Sequence, residues 1–287
     1  MPTTINTNMA SLSAQRALQS TNSSVSTSMQ RLSTGLRINS AKDDSAGLAI
    51  AERMTSQVRG MTVASRNAND AISLAQTAEG SLGKVGESLQ RMRELAVQAR
   101  NATNTSADKD SLDKEFGELA KEIQRVLGGT TFNGRAILAT ESGTQTFQVG
   151  ANTTSNDRID VVTTNMTTDG TVTAVAGTDN TGAGRAVIDN TATGADIDTV
   201  IDDIDTAINT VSSERATLGA SQNRLDQVIS NLQISVENQS AAKSRITDAD
   251  FAQETANMSR ANILQQAGNA MIAQANQVPS QVLSLLR

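Results

Sequence analysis

Two tetrapeptides of the form Ser-x-x-Lys, Ser81-Leu-Gly-Lys84 and Ser240-Ala-Ala-Lys243, carry the residue types of a lysine-activated serine nucleophile. Neither is joined by a Ser-Asp-Asn or Lys-Thr-Gly element, and solvated helix surface is the better reading of so short a pattern. An acidic run, Asp196 and Asp198 followed by Asp202, Asp203 and Asp205, has the charge for a hard cation. It lacks the glycine and the bidentate glutamate of a calcium loop, and carboxylates at a helix start are favoured by the dipole without any metal. The chain has no His and no Cys, which excludes imidazole acid–base chemistry, thiol nucleophiles, disulfides and Cys/His zinc sites. No Walker, dinucleotide-binding or His-Glu-x-x-His motif occurs. The residues therefore imply no catalytic centre, no metal site, no cofactor and no enzyme.

Two further motifs bear on positioning. Ser40-Ala-Lys-Asp43 fits a capping box that starts a helix and marks a joint in the chain. Gln90-Arg-Met-Arg-Glu-Leu-Ala-Val-Gln98 is a dense charge cluster in which Leu89, Met92 and Ala96 follow the apolar seam. Arg91, Glu94, Leu95 and Gln98 fall on other faces. An intrahelical ion pair on a solvated face accounts for the charges, whereas an apolar Leu95 off the seam reads as part of a recognition surface.

The elements that carry these residues are helical. Proline occurs only at positions 2 and 279, so nothing between is barred from long helices on that account. A stripe runs Met54, Val58, Met61, Ser65, Ala68, Ile72 and Ala75, then Ala78, Leu82, Val85, Leu89, Met92, Ala96 and Ala99. Its alternating steps of three and four are a heptad seam, about 70 Å long at 1.5 Å per residue. Gly60, Gly80, Gly83 and Gly86 interrupt it at roughly 1 kcal/mol each. A second stripe is Leu112, Phe116, Leu119, Ile123 and Val126. A third runs from Ile197 through Ile201, Ile204, Ile208, Val211, Leu218, Leu225, Ile229 and Leu232 to Val236, broken at Arg215 and Gln222. The fold class is mainly α: a long-helix coiled-coil rod or bundle with a small β-hairpin region. The hairpin is expected from the alternation in Thr144–Val149 and Arg158–Thr163, and Gly128–Gly134 is turn chemistry. Residues 164–195, rich in Thr, Gly, Asn and Asp, read as an exposed connector with little to bury.

The two ends are thin amphipathic helices: Ile5, Met9, Leu12, Val25, Met29, Leu32 and Leu36 at one, Leu264, Ala267, Met271, Ala275, Val278, Val282 and Leu285 at the other. Their apolar area is too small to offset the backbone entropy of ordering, so they are expected to gain order only against neighbours. With 1% aromatic residues the whole chain is poor in core-forming rings. Charge is uneven: residues 1–42 carry +4, residues 252–287 carry +1, and the interior carries −11 of the net −6. An acidic body repels polyanions, so no nucleic-acid partner is implied. The ends lack clustered cations and no stretch approaches ~20 apolar residues, so no membrane partner is implied either. No secretory signal of the usual kind opens the chain.

Several runs are similar to bacterial flagellin: Ile5-Asn-Thr-Asn8, Arg31–Asp44, Ser65-Arg-Asn-Ala-Asn-Asp70, the Gln90–Gln98 cluster and Phe132-Asn-Gly134. Ala220–Leu225, Ser244–Phe251 and Gln277–Arg287 continue the likeness, which covers about four-fifths of the chain and omits 164–195. The resemblance implies terminal helices, 1–43 with 252–287, pairing as an inner-tube domain (D0). It implies a helical rod with its hairpin (D1) from 44–163 with 196–251, and a variable connector at 164–195. It implies a self-assembling helical homopolymer, the filament subunit for swimming, exported unfolded by the flagellar type III apparatus and therefore secreted and extracellular. Implied partners are an export chaperone, the filament cap, hook-junction proteins and host Toll-like receptor five. Matched position by position, Arg91, Leu95 and Glu115 would meet that receptor, and Leu283, Leu285 and Leu286 would serve intracellular immune sensing. Inner-tube packing would fall to Met29, Leu32, Leu36, Leu264, Met271, Val278, Val282 and Leu285. Thr163, Thr164, Thr167 and Thr168, with Thr171 and Thr173, are candidate glycosylation sites. A hook–filament junction protein of the same family is the alternative.

Overall fold

The computed structural model describes residues 7–284, with side chains as far as Gln277. In chain order the elements are α1 (Met9–Thr34), α2 (Ser45–Ala99), α3 (Ser106–Gly129), β1 (Thr131–Phe132), β2 (Arg135–Ala136), β3 (Gly143–Gln148), β4 (Arg158–Thr163), α4 (Gly170–Ala176), α5 (Gly194–Thr247) and α6 (Phe251–Ser284). They fall into two compact units, Gln57–Val236 and the two chain ends up to Ser56 and from Glu237 onward.

In the larger unit the seam of α2 is buried as the heptad spacing predicts, from Ala68 through Ala75, Leu82, Leu89 and Met92 to Ala99. Ala71, Leu74 and Leu95 are buried as well, because this stretch of α2 is covered on more than one side. On α3 the buried face is turned from the expected stripe. Phe116 and Ile123 are inside, but Leu112, Leu119 and Val126 are half-buried, and Asp113, Gly117, Ala120, Gln124 and Leu127 complete the face. The two polar breaks in the stripe of α5 share one partner on α2: Gln222 donates to Glu79 at 2.9 Å and Arg215 lies 3.7 Å from the same carboxylate.

The expected hairpin forms with its first strand one residue earlier, pairing β3 and β4 antiparallel from Gly143↔Thr163 to Gln148↔Arg158. Ile159, Val161 and Thr163 face inward, and Arg158, Asp160 and Val162 are exposed, the two-residue period of a strand. Asn67 donates to the Gln148 carbonyl at 2.9 Å. A β-carbon built on Gly60 would lie 2.9 Å from that of Ala151, so this interior glycine lets the loop after β3 approach the helix. A second ladder, β1 with β2, turns through Asn133 (φ 51°) and Gly134 (φ 80°), both left-handed as a two-residue hairpin turn requires.

Residues 164–195 are not an exposed connector. Met166, Val172, Val175, Ala176 and Ile188 are fully buried and belong to the main core, and α4 stands where at most a hairpin was expected. Most of the few large apolar residues point inward, Val187 being the exception, while Asp169, Asp179 and Asp189 each accept from the backbone and hydroxyl of the threonine two positions on, closing local turns. An average over the segment conceals both facts. The segment is held to α3 by a clamp. Asp113 takes the Arg185 guanidinium through both oxygens, 2.8 Å at Nη1, and accepts the Ile188 amide at 3.0 Å. Gln124 donates to the Gly177 carbonyl. The two charged side chains are only 12% and 19% exposed, so Asp113→Ala is expected to strand a dehydrated guanidinium and cost about 2–3 kcal/mol. Urea unfolding with hydrogen exchange checks it: the loss should come with earlier exchange at 177–193.

In the smaller unit, α2 begins one turn's reading later than the capping box suggested. Asp43 accepts from the amides of Asn39 and Ser40 and from the Ser40 hydroxyl, closing a turn ahead of the helix. Those bonds, the Ser40 amide foremost, hold its carboxyl below the usual range. Asp44 caps the helix by accepting the Gly47 amide at 2.8 Å. The joint is further tied by Arg37 N–H to the Thr247 carbonyl at 2.7 Å, Ala249 N–H to the Gly35 carbonyl at 2.9 Å and the Leu36–Asp248 bridge. Gly35 ends α1 in the left-handed conformation (φ 72°). These bonds place the first turns of α2 and the last of α5 with the chain ends.

Candidate functional site

No nucleophile or metal cluster emerges from the motifs that opened the sequence analysis. Ser81 donates to the Thr77 carbonyl and Lys84 pairs with Glu87 at 2.9 Å. Asp196 closes a cap with Thr193, Asp198 holds Arg100 and Asp205 holds Arg93. The acidic run thus caps α5 and ties it to α2. Among the described residues, no group of three or more acidic side chains is placed to hold a metal ion.

The first of two candidate surfaces is the pair α1 and α6. In the single chain α1 lies against α6, with Asn8 Nδ2 donating to the Ala275 carbonyl at 2.7 Å and Gln265 Nε2 to Asn22 Oδ1 at 2.7 Å. What this contact buries is small or polar: Ser11, Ser28, Glu254 and Ala261. The large apolar residues stay outside. Met9, Met29 and Met271 are 58–60% exposed, with Leu12, Ile263 and Leu264 beside them at 45–67%. Of the residues assigned to inner-tube packing, Met29, Leu264 and Met271 therefore face solvent in a single copy, and Leu32 and Leu36 are half-buried. The Val278 and Val282 side chains, and Leu285, lie outside the described residues. Positions seven apart line the face α1 turns to its partner: Ser11, Leu18 and Val25, with Leu18 packed near Gly268. So many apolar side chains left in water on one helix pair mark an interaction surface.

The second surface is on α2 and α3. Arg91 bridges Glu94 and Glu115, 2.8 Å from each, with Arg91 and Glu115 about half exposed and Glu94 more so. These bonds raise the Arg91 pKa, that to Glu94 most. Leu95, expected at the surface, is 1% exposed and sits in the core. The single-seam reading missed a helix covered on two sides. Nearby, Arg93 and Arg100 hold Asp205 and Asp198 through both oxygens and depress those carboxyls.

Of the candidate glycosylation sites, Thr163 is 2% exposed and paired to Gly143, which removes it as an acceptor. Thr164 bonds Glu214 and Thr167 bonds Asn165; Thr168 is exposed. Thr171 bonds Asp169, and Thr173 the Gly170 carbonyl. The side chain of Leu283, and Leu285 and Leu286, lie outside the described residues.

The electrostatics set a pH response. Asp198, Asp205 and Glu122 are lowered chiefly by arginine hydrogen bonds, Asp108 and Asp196 by their capping threonines. A carboxyl lowered in the folded state contributes stability above its unfolded pKa and loses it as pH falls through the folded value. With no histidine, thermal melts followed by circular dichroism should be flat between about pH 5.5 and 8 and fall below about pH 4. A step near pH 6.5 would contradict this.

Comparison with known proteins bears on both surfaces. Residues 5–146 match the family described as the bacterial flagellin N-terminal helical region, and residues 201–286 its C-terminal helical region. The chain is 46% identical over 283 residues to a flagellin of Halalkalibacterium halodurans, and 43% identical over 303 residues to that of Bacillus subtilis. Both alignments span 99% of each chain. Among solved structures it is similar to Bacillus cereus flagellin (35% identity, TM-score 0.48, 58% of this chain and 88% of that one). A putative flagellar hook-associated protein from Vibrio parahaemolyticus shares the fold at 15% identity and TM-score 0.59, covering 72% of this chain and all of the other.

Proposed function

The chain belongs to the bacterial flagellin family, and from that membership we propose that it works by assembly alone, as the subunit of the extracellular flagellar filament. Residues 1–43 and 252–287 form the inner tube, and 44–163 with 196–251 the surrounding helical rod. The observation that carries this reading is the α1–α6 pair: its internal seam is Ser11, Ser28, Glu254 and Ala261, while Met9, Leu12, Met29, Ile263, Leu264 and Met271 are exposed. Burying those side chains against further copies contributes about 25 cal/mol per Å2, so assembly supplies what one copy lacks. Export proceeds unfolded through the flagellar type III apparatus, in company with a chaperone, and the chain joins the filament between cap and hook-junction proteins.

Host Toll-like receptor five would meet the exposed Arg91 and Glu115, with Leu95 acting through the packing beneath them. Leu283, Leu285 and Leu286 would serve intracellular sensing. Electron microscopy of the purified chain under polymerising conditions tests the central reading: helical filaments are expected, and their absence under every condition would remove it. The competing assignment, a hook–filament junction protein, predicts a scarce component of sheared filaments where a subunit is the bulk.

A further inference from the structure

The groove between α1 and α6 close to the joint is about 410 Å3 in volume and mixed in character, with Arg31, Glu254, Asn257 and Arg260 on its walls beside Ala261 and Leu264. Within it two guanidiniums stand beside a single carboxylate, while Asp43, outside its walls, also acts on Arg31. Arg31 Nη1 stands 3.9 Å from Glu254 Oε1, at the outer limit of an ion pair, and Arg31 Nε is buried with no hydrogen-bond acceptor among the described residues. Arg260 reaches Asn257 Oδ1 at 3.4 Å. A guanidinium has five N–H donors in a fork that matches a carboxylate, so two of them beside one buried carboxylate leave both donors and positive charge unspent. Arg31, whose side chain is 31% exposed, is the partly shielded charge, and it gains from an acceptor that meets its buried Nε.

We propose that this groove receives one carboxylate side chain of a second copy of the chain, held between Arg31 and Arg260. The inference rests on the self-assembly reading and assigns one of its contacts. The source of the carboxylate follows from charge: residues 57–236 carry net −8 and the remainder of the chain net +2, so the body of one copy is attracted to the ends of another. A guanidinium pair that meets its carboxylate only between copies makes assembly depend on charge at these two positions.

The test compares the critical concentration for polymerisation of purified full-length chain, read by sedimentation, for wild type, R260Q, R31Q/R260Q and R31K/R260K. The double glutamine variant is expected to raise it at least about tenfold and R260Q by a smaller factor, with the lysine pair recovering most of the loss because it keeps the charge. Position 260 is exposed, so R260Q keeps its fold, which circular dichroism verifies. Glutamine variants that assemble at the wild-type concentration overturn the proposal, as does a lysine pair no better than glutamine. A wild-type chain that never polymerises strikes the assembly reading itself, a different result from normal assembly by the variants.

Discussion

Removing residues 252–287 is expected to abolish filament formation completely while leaving the helices of the larger unit folded. The buried residues of the main core run from Ala68 to Leu225, with Val228 and Ile229 packed against them. The truncation deletes Glu254 and Ala261, half of the buried seam between α1 and α6, together with exposed Ile263, Leu264 and Met271. Left alone, α1 has a face of Ser11, Ala14, Leu18, Thr21, Val25 and Ser28 and no partner helix, and an isolated helix of this length with so little apolar area is marginal in water. Two measurements decide it together. Electron microscopy should find no polymer, and the thermal midpoint of the remaining helices should stay within a few degrees of wild type. Normal filaments from the truncated chain would refute the role given to the ends.

Leu95→Ala is expected to destabilise the larger unit by about 2–5 kcal/mol, the cost of deleting a buried leucine and leaving a cavity. Its side chain is 1% exposed and lies in the same core as Met92 and Phe116. Arg91→Ala, next to Met92 but facing outward, removes surface ion pairs to Glu94 and Glu115, and pairs so exposed contribute little to stability. Urea unfolding of the two variants should therefore separate them clearly. The comparison matters for recognition: weak receptor binding by Leu95→Ala must be read at a temperature where the variant is folded, whereas a loss in Arg91→Ala reports contact. Equal stabilities for the two would show that Leu95 is not a core residue.

Much of this was legible in the residues. Heptad spacing located the seam of α2 because a helix repeats every 3.6 residues whatever surrounds it. The hairpin was visible because Ile159, Val161 and Thr163 alternate with Arg158, Asp160 and Val162. Absence of His and Cys closed off whole classes of chemistry without reference to the fold. Less legible were the features that depend on what lies opposite a side chain. The periodicity of α2 cannot say how many neighbours it has, so Leu95 was placed at the surface. The composition of 164–195 hid a buried α4 and the Asp113–Arg185 clamp, whose partners are far apart in the chain. At the ends the apolar periodicity does not say what α1 and α6 share, and the two helices meet through Ser11, Ser28, Glu254 and Ala261.

By itself, then, the order of residues determined the long helices and the β3–β4 hairpin, the charge asymmetry of ends against body and the lack of reactive groups, since these are local or additive properties. Tertiary structure alone decided how many faces of a helix are covered, which charges meet and which apolar residues remain for another copy, since burial belongs to pairs of surfaces.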